Sequence, residues 1–129
     1  NNIPDGYQTA NMVGVARNVF EPLREYVGGP IKITSMFRCE KLNSVLGGSS
    51  RSQHCEGRAI DLDDTFGHKT NAEMFNYIKN FLSFDQLIWE FGDDNNPDWI
   101  HVSYISEDEN RKRCLRAEKI NGKTTYRIV

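Results

Sequence analysis

The longest amphipathic pattern in the chain predicts a helix over residues 11–27. Apolar residues recur there at intervals of three and four, which gathers them on one helix face: Met12, Ala16, Val19, Phe20, Leu23, Tyr26 and Val27. Gly28-Gly29-Pro30 follows and ends the helix, because glycine tolerates left-handed backbone and proline cannot continue a helix. Two more helices are predicted, over residues 40–46 before Gly47-Gly48 and from about residue 71 to 82. Thr70 and Glu73 have the spacing of a capping box at the start of the last one. Residues 49–53 are polar and predict a loop.

Alternating polar and apolar residues predict strands between these helices. Residues 31–35 alternate, and residues 58–63 place Ile60 and Leu62 on one face with Asp61 on the other. Residues 85–91 and 99–105 are rich in strand formers, and residues 114–120 and 123–129 flank Asn121-Gly122, a dipeptide typical of tight hairpins. Strands joined by short turns pair antiparallel. The pattern therefore predicts an α+β fold: a mainly antiparallel sheet flanked by helices, with a C-terminal β-hairpin.

Length and charge narrow the class of protein. The chain has 129 residues, the length of a single domain, and we treat residues 1–129 as one unit. Its formal net charge of −2 gives no electrostatic reason to expect a nucleic-acid partner or an anionic lipid surface. No apolar stretch approaches the ~20 residues that span a bilayer, and no signal peptide is visible at the start of the chain. We expect a monomer with no membrane span.

The three cysteines do not form a recognisable metal or disulfide framework. Cys39, Cys55 and Cys114 contain no C-x-x-C pair, and three is the wrong number for a complete set of disulfides. We expect them to act as small apolar side chains and not as zinc ligands. The aromatic residues Trp89, Trp99 and Tyr104 are likewise expected in the core.

Two histidines and one aspartate form a candidate metal site. His54 lies at the end of a predicted loop, Asp61 lies on the next strand, and His101 lies on a later strand. On each strand the candidate ligand points away from its apolar neighbours. Gly57 allows the tight turn that brings His54 and Asp61 towards one point. Three such ligands with one open position are typical of catalytic zinc. Spacing alone leaves open whether each histidine is a ligand or a hydrogen-bonded structural residue.

Two motifs resemble those of the M15 family of zinc peptidases. Residues 52–61 have the form S-x-H-x-x-G-x-A-x-D, and residues 99–103 read Trp-Ile-His-Val-Ser. Residues 85–90, Asp-Gln-Leu-Ile-Trp-Glu, are similar to the small, carboxypeptidase-like branch of the family. The segments Thr34–Arg38 and Leu42–Gly48 are similar to two further family segments. The match runs in order over about residues 7–105 and does not include the hairpin at 114–129. The resemblance implies a Hedgehog/DD-peptidase-like fold.

The resemblance also implies roles for individual residues. It makes His54, Asp61 and His101 the ligands of one Zn²⁺ ion. It places the general base three residues before the last ligand, which is Asp98 here, whereas the family usually has Glu. Glu90 is the competing base, because it too lies on a strand predicted near the site. Further candidates are Arg38, as a catalytic and substrate-binding donor, and Ser52, which either contacts substrate or caps the loop.

The activity implied is zinc-dependent hydrolysis of the peptidoglycan stem peptide, as a D-Ala-D-Ala carboxypeptidase or as an endopeptidase of the endolysin type. Such a protein acts at the bacterial cell wall, either periplasmic or extracellular, or is phage-encoded and released at lysis. Two alternatives remain: a non-catalytic cell-wall-binding module, and a zinc-dependent interaction module on the same fold.

Overall fold

The computed structural model describes residues 2–46 and 52–129, and its first helical segment begins earlier than the apolar pattern predicts. Helix α1 spans Gly6–Val15, a π-helical turn follows over Ala16–Phe20, and α2 spans Glu21–Val27. Asp5 starts the helix, because its side chain accepts a hydrogen bond from the backbone N–H of Gln8 while the Gln8 side chain accepts one from Asp5. Gly28 ends it in the left-handed region with φ of 77°, as predicted.

The sheet matches the predicted fold class. Within the described residues it has six strands: β1 Lys32–Ser35, β2 Ala59–Asp63, β3 Gln86–Glu90, β4 Trp99–Ser103, β5 Arg113–Ile120 and β6 Lys123–Ile128. Their order across the sheet is β1-β2-β4-β3-β5-β6. Every neighbouring pair is antiparallel except β3 and β5, which run parallel. The chain is thus a single α+β domain with a mainly antiparallel sheet, and the prediction is confirmed.

The remaining helices are short except for one. Helix α3 spans Glu40–Val45, a 3₁₀ turn spans Gln53–Glu56, and α4 spans Asn71–Phe81 behind the predicted capping box of Thr70 and Glu73. The predicted loop over residues 49–53 is wrong at Gln53, because Ser52 caps the 3₁₀ turn. The rest of that loop up to residue 51, and the predicted helix stop at Gly47-Gly48, lie outside the described residues.

The main core lies between one face of the sheet and the helices α1, α2 and α4. Fully buried residues from both sides meet there: Val15, Val19, Leu23, Met74 and Ile78 from the helical segments, and Ile60, Leu62, Leu87, Ile100 and Val102 from the strands. Burying a side chain of this size stabilises a fold by about 1.5–3 kcal/mol. The helices therefore cover one face of the sheet and leave the opposite face to form the site.

The C-terminal hairpin forms as predicted and continues the sheet. Asn121 and Gly122 have φ of 51° and 77°, the two positive values that a tight hairpin turn of this kind requires. The three cysteines are free: Cys114 is buried, while Cys39 and Cys55 are half-buried. No helix within residues 2–46 and 52–129 has both the length and the apolar character needed to cross a bilayer.

Candidate metal centre

Antiparallel pairing of β2 with β4 brings two of the predicted ligands together. Asp61 is directly opposite His101 in the register, and Asp61 Oδ1 lies 3.0 Å from His101 Nδ1. Their neighbours Ile60 and Ile100 face the helices and are fully buried. The alternation in the sequence therefore has the structural consequence that we expected: each strand presents its candidate ligand on the face opposite the core.

The third predicted ligand comes from the 3₁₀ turn. Ser52 begins this turn by accepting a hydrogen bond on Oγ from the backbone N–H of His54, at 3.2 Å. Gly57 ends the turn with φ of 75°, and a Cβ atom there would lie 2.4 Å from the carbonyl oxygen of Gln8. Only glycine fits both conditions. The chain turns back into β2, and His54 Nε2 lies 3.3 Å from Asp61 Oδ1.

The hydrogen bonds around His54 select its tautomer. Its Nδ1 atom lies 2.7 Å from the carbonyl oxygen of Met36, which can only accept, so Nδ1 carries the proton. Nε2, which lies 3.3 Å from Asp61 Oδ1, is then the ring nitrogen available to a metal ion. Arg38 holds the same segment from the other side by donating its backbone N–H to the carbonyl of His54, at 3.2 Å. A ligand histidine fixed through its second nitrogen in this way is typical of metal sites.

The three ligand atoms fit a zinc ion. One atom each from His54, Asp61 and His101 lies within 4.8 Å of the others. Zinc–ligand bonds of ~2.0–2.2 Å in tetrahedral geometry place ligand atoms roughly 3.3 Å apart. Two imidazoles and one carboxylate also match the donor set of catalytic zinc, in which three protein ligands leave a fourth position open. These residues could therefore hold the metal.

Asp61 is held in the form that binds a cation. Burial acts to raise the pKa of Asp61, but the interactions of its carboxylate with the side chains of His101 and His54 outweigh burial and hold the pKa well below the usual range. The carboxylate is therefore ionised at neutral pH.

Glu90 is a buried carboxyl group on the same face of the sheet. It pairs with Trp99 in the register, and Trp99 lies two residues before His101 on β4. Only 9% of Glu90 is exposed. Burial, and then the negative charge of Asp61, raises the pKa of Glu90 to about 7. A carboxyl group with this pKa can accept and release a proton near neutral pH, as a general base must.

Asp98 lies away from the cleft that contains the other candidates. It is exposed, precedes the first residue of β4, and is not among the residues that line the cleft. Its backbone is fixed on both sides: its N–H donates to the carbonyl of Glu90 at 2.9 Å, and its carbonyl accepts from the side chain of Asn71 at 3.1 Å. The structure thus brings Glu90 together with the three candidate ligands and leaves the Asp98 side chain outside. The role of Asp98 stays a prediction.

Arg38 and Ser52 both line this cleft, which has a volume of about 830 Å³. The Nε atom of Arg38 is buried and has no hydrogen-bond partner among the described residues. A buried donor without a partner costs about 1–3 kcal/mol, and an anionic group in the cleft would remove that cost. Ser52 Oγ accepts from His54, the capping interaction, while its hydroxyl hydrogen remains able to donate into the cleft.

An ion pair between the buried carboxylate of Asp85 and the partly exposed Arg111 supports the turn that carries His54, and no local sequence signal predicts it. Asp85 is fully buried and accepts two side-chain hydrogen bonds from Arg111, at 2.9 and 2.7 Å. Gln53, the first residue of the 3₁₀ turn, donates to the same carboxylate at 2.8 Å. Burial acts to raise the pKa of Asp85, but these hydrogen bonds outweigh burial and lower it. The partners are far apart in the sequence, so only the fold reveals the pair.

The cleft also contains residues that were predicted elsewhere. Trp89 and Tyr104 do pack on the core, but Trp99 lines the cleft, because it shares the face of His101. The C-terminal hairpin contributes Leu115, Thr124 and Tyr126 to the cleft wall. The sequence motifs do not include the hairpin, and the site residues on it were missed.

Comparison with known proteins adds one finding. A family model described as Peptidase M15 matches residues 2–103. A search of curated proteins finds no significant match. The matched range contains all the predicted site residues and ends at the last residue of β4.

Proposed function

The chain belongs to the M15 peptidase family, and from that premise we propose that it hydrolyses peptide bonds of the bacterial peptidoglycan stem peptide with one zinc ion. The observation that carries this proposal is the convergence of His54 Nε2 and His101 Nδ1 on one oxygen of Asp61, at 3.3 and 3.0 Å. These three residues would hold the metal. A zinc ion bound there would lower the pKa of its water and polarise the scissile carbonyl.

The chain supplies a proton acceptor beside this site, and we assign that role to Glu90. Its carboxylate lies in the cleft with Asp61 and takes the proton of the attacking water as the new C–O bond forms. The Glu90 carboxyl then delivers the proton to the leaving nitrogen as the C–N bond breaks, which returns the residue to its starting state. Asp98, at the position that the family motif predicts, is the competing base. It would need to turn its exposed side chain into the cleft.

Arg38 and Ser52 are proposed to bind the substrate. The guanidinium group of Arg38 offers several donors in a fixed fork, which suits a peptide carboxylate or the developing oxyanion. Its buried Nε, which has no hydrogen-bond partner within residues 2–46 and 52–129, supports this role. Ser52 can donate its hydroxyl hydrogen to the peptide while its oxygen continues to cap the turn.

The choice of base is tested by two isosteric variants. We expect Glu90→Gln to lower kcat by about 10²–10⁴-fold while zinc stoichiometry stays at one, and Asp98→Asn to stay near wild type. Zinc content is measured by elemental analysis, and hydrolysis is measured on a synthetic stem pentapeptide. The reverse result, with Asp98→Asn inactive and Glu90→Gln active, assigns the base to Asp98. Asp98→Glu then becomes the informative variant, because it restores the residue that the family usually has.

The substrate and the place of action are tested on purified cell walls. We expect mass spectrometry of sacculi treated with the protein to detect the product of stem-peptide cleavage. This product should not form when a chelator is added. A protein that sediments with sacculi and releases nothing is a non-catalytic cell-wall binder. One that requires zinc for folding but neither binds nor cleaves sacculi is an interaction module. We also propose that the protein acts at the cell wall as a monomer. Residues 1–129 then form one zinc peptidase domain.

A further inference from the structure

The C-terminal hairpin forms a wall of the cleft although it lies beyond the family match, which ends at residue 103. Strand β5 pairs in parallel with β3, so that Ala117 lies beside Glu90, and β6 pairs with β5 so that Tyr126 lies beside Ala117. Residues paired across neighbouring strands point to the same face of a sheet. Glu90, Ala117 and Tyr126 therefore form one row across the sheet, facing the cleft.

The middle residue of this row allows the outer two to approach each other. Neighbouring strands lie about 4.8 Å apart, so the backbones of Glu90 and Tyr126 are separated by roughly 10 Å. Ala117 between them carries only a methyl group and is fully buried beneath its neighbours. Tyr126 itself is 57% exposed at the rim of the cleft. Its ring can thus reach inward over Ala117 while one side stays open to a ligand.

The hydroxyl group of Tyr126 lies in the electrostatic environment of the site. Partial burial raises the pKa of Tyr126, and the negative charges of Glu90 and Asp61 raise it further. The phenol therefore keeps its proton at neutral pH, and a protonated phenol is a hydrogen-bond donor.

The order of the strands places Tyr126 and Arg38 at opposite ends of the cleft. Arg38 follows β1 and Tyr126 lies on β6, while Asp61, His101 and Glu90 lie on the strands between them. From β4 to β6 there are three strand spacings, or roughly 14 Å. An extended peptide covers this distance in about four residues. A peptide that crosses the strands over the metal centre would therefore meet Arg38 on one side and Tyr126 on the other.

We propose that Tyr126 is a substrate-binding residue, whose hydroxyl donates a hydrogen bond to the peptide a few residues from the scissile bond. This inference rests on the proposed function, and it assigns part of the substrate specificity to the hairpin that the family match does not cover. Its chemistry requires a carbonyl or carboxylate oxygen at that point of the peptide. Peptides long enough to reach the hairpin gain this hydrogen bond from Tyr126. Shorter peptides bind without it.

The test uses Tyr126→Phe, which removes only the hydroxyl, and Tyr77→Phe as the matched control on the helix side of the sheet, where Tyr77 stacks on Tyr26. KM and kcat are measured for the zinc-loaded protein on the stem pentapeptide and on the dipeptide that contains the cleaved bond. The dissociation constant of the pentapeptide is measured by calorimetry in the Glu90→Gln background.

We expect Tyr126→Phe to raise KM and the dissociation constant of the pentapeptide by roughly 3- to 10-fold, the effect of one hydrogen bond. The dipeptide and the Tyr77→Phe control should be unaffected, and the unfolding midpoint should not move, because Tyr126 is exposed. Equal constants for wild type and Tyr126→Phe, with the wild type active, would overturn the inference and leave the proposed function in place. A wild type that neither binds nor cleaves the pentapeptide would overturn both. If the wild type binds the pentapeptide without cleaving it, and Tyr126→Phe weakens that binding, the inference about Tyr126 is supported and the proposed peptidase activity is refuted.

Discussion

The pH dependence of the free energy of unfolding reports how far the folded structure raises the pKa of Glu90. In the metal-free protein, burial and the charge of Asp61 raise the pKa of Glu90 from 4.5 to about 7. Between these values the folded state binds the proton and the unfolded chain does not. The contribution of Glu90 to stability is therefore fully present below pH 4.5, and it is lost as the pH rises through 7.

The size of the effect follows from the two pKa values. At 1.36 kcal/mol per pKa unit, the rise from 4.5 to about 7 corresponds to about 3.4 kcal/mol, of which about 2.5 kcal/mol is lost between pH 5 and pH 8. Glu90→Gln cannot titrate. The free energy of unfolding of this variant, minus that of wild type, should therefore increase by about 2.5 kcal/mol from pH 5 to pH 8.

The assay is urea denaturation in the presence of a chelator, followed by tryptophan fluorescence. Gln86→Ala is the control, because it alters a residue that lines the cleft without removing a titratable group, and its offset from wild type should not change with pH. Saturating zinc should flatten the difference for Glu90→Gln, since a nearby dication favours the ionised carboxylate. A constant offset between Glu90→Gln and wild type in chelator would refute the placement of Glu90 in a buried site beside Asp61.

Three further predictions concern the metal centre and the turn beside it. Asp61→Asn should lower zinc stoichiometry well below one by elemental analysis, because it removes the anionic ligand; full occupancy would exclude Asp61 from the site. Cys55→Ser should retain zinc, since Cys55 is not part of the ligand group, and a large loss of affinity in a folded variant would contradict that geometry. Gly92→Ala should lower the free energy of unfolding by more than about 1 kcal/mol in urea, because φ is 72° and the new Cβ would lie 2.2 Å from the carbonyl oxygen of Asn96. A variant as stable as wild type would show that this turn adapts.

Local signals in the sequence predicted the elements well. Asn121-Gly122 predicted the hairpin because its two positive φ values are a local property. Thr70 and Glu73 predicted the start of α4 for the same reason. The sequence also contains a signal for the start of α1, because Asp5 and Gln8 have the spacing of a capping box. The prediction placed the start at residue 11 because it relied on the apolar pattern, which begins later.

Long-range pairing was not predictable from these signals. Alternation predicted that Asp61 and His101 face away from the core, but not that β5 runs parallel beside β3. That pairing places Ala117 next to Glu90 and carries Tyr126 to the cleft. The register of β3 against β4 likewise decided that Glu90 enters the cleft beside Trp99. The resemblance to the family motif implies Asp98 as the base, and this role stays a prediction, because a motif records the order of residues and not the face on which each one lies.

The sheet order has a consequence for how the family can diversify. A strand added at the open edge of a sheet forms hydrogen bonds with its one neighbour and leaves the inner ladders unchanged. In this chain β5 and β6 extend the sheet beyond β3, while the candidate ligands lie on β2, β4 and the 3₁₀ turn. Tyr126 and Thr124 lie on β6, outside the strands and the turn that carry the candidate ligands, so substitutions there leave the ligand set itself unchanged. The hairpin is therefore a part of the cleft wall in which residues can change while the three candidate ligands stay the same.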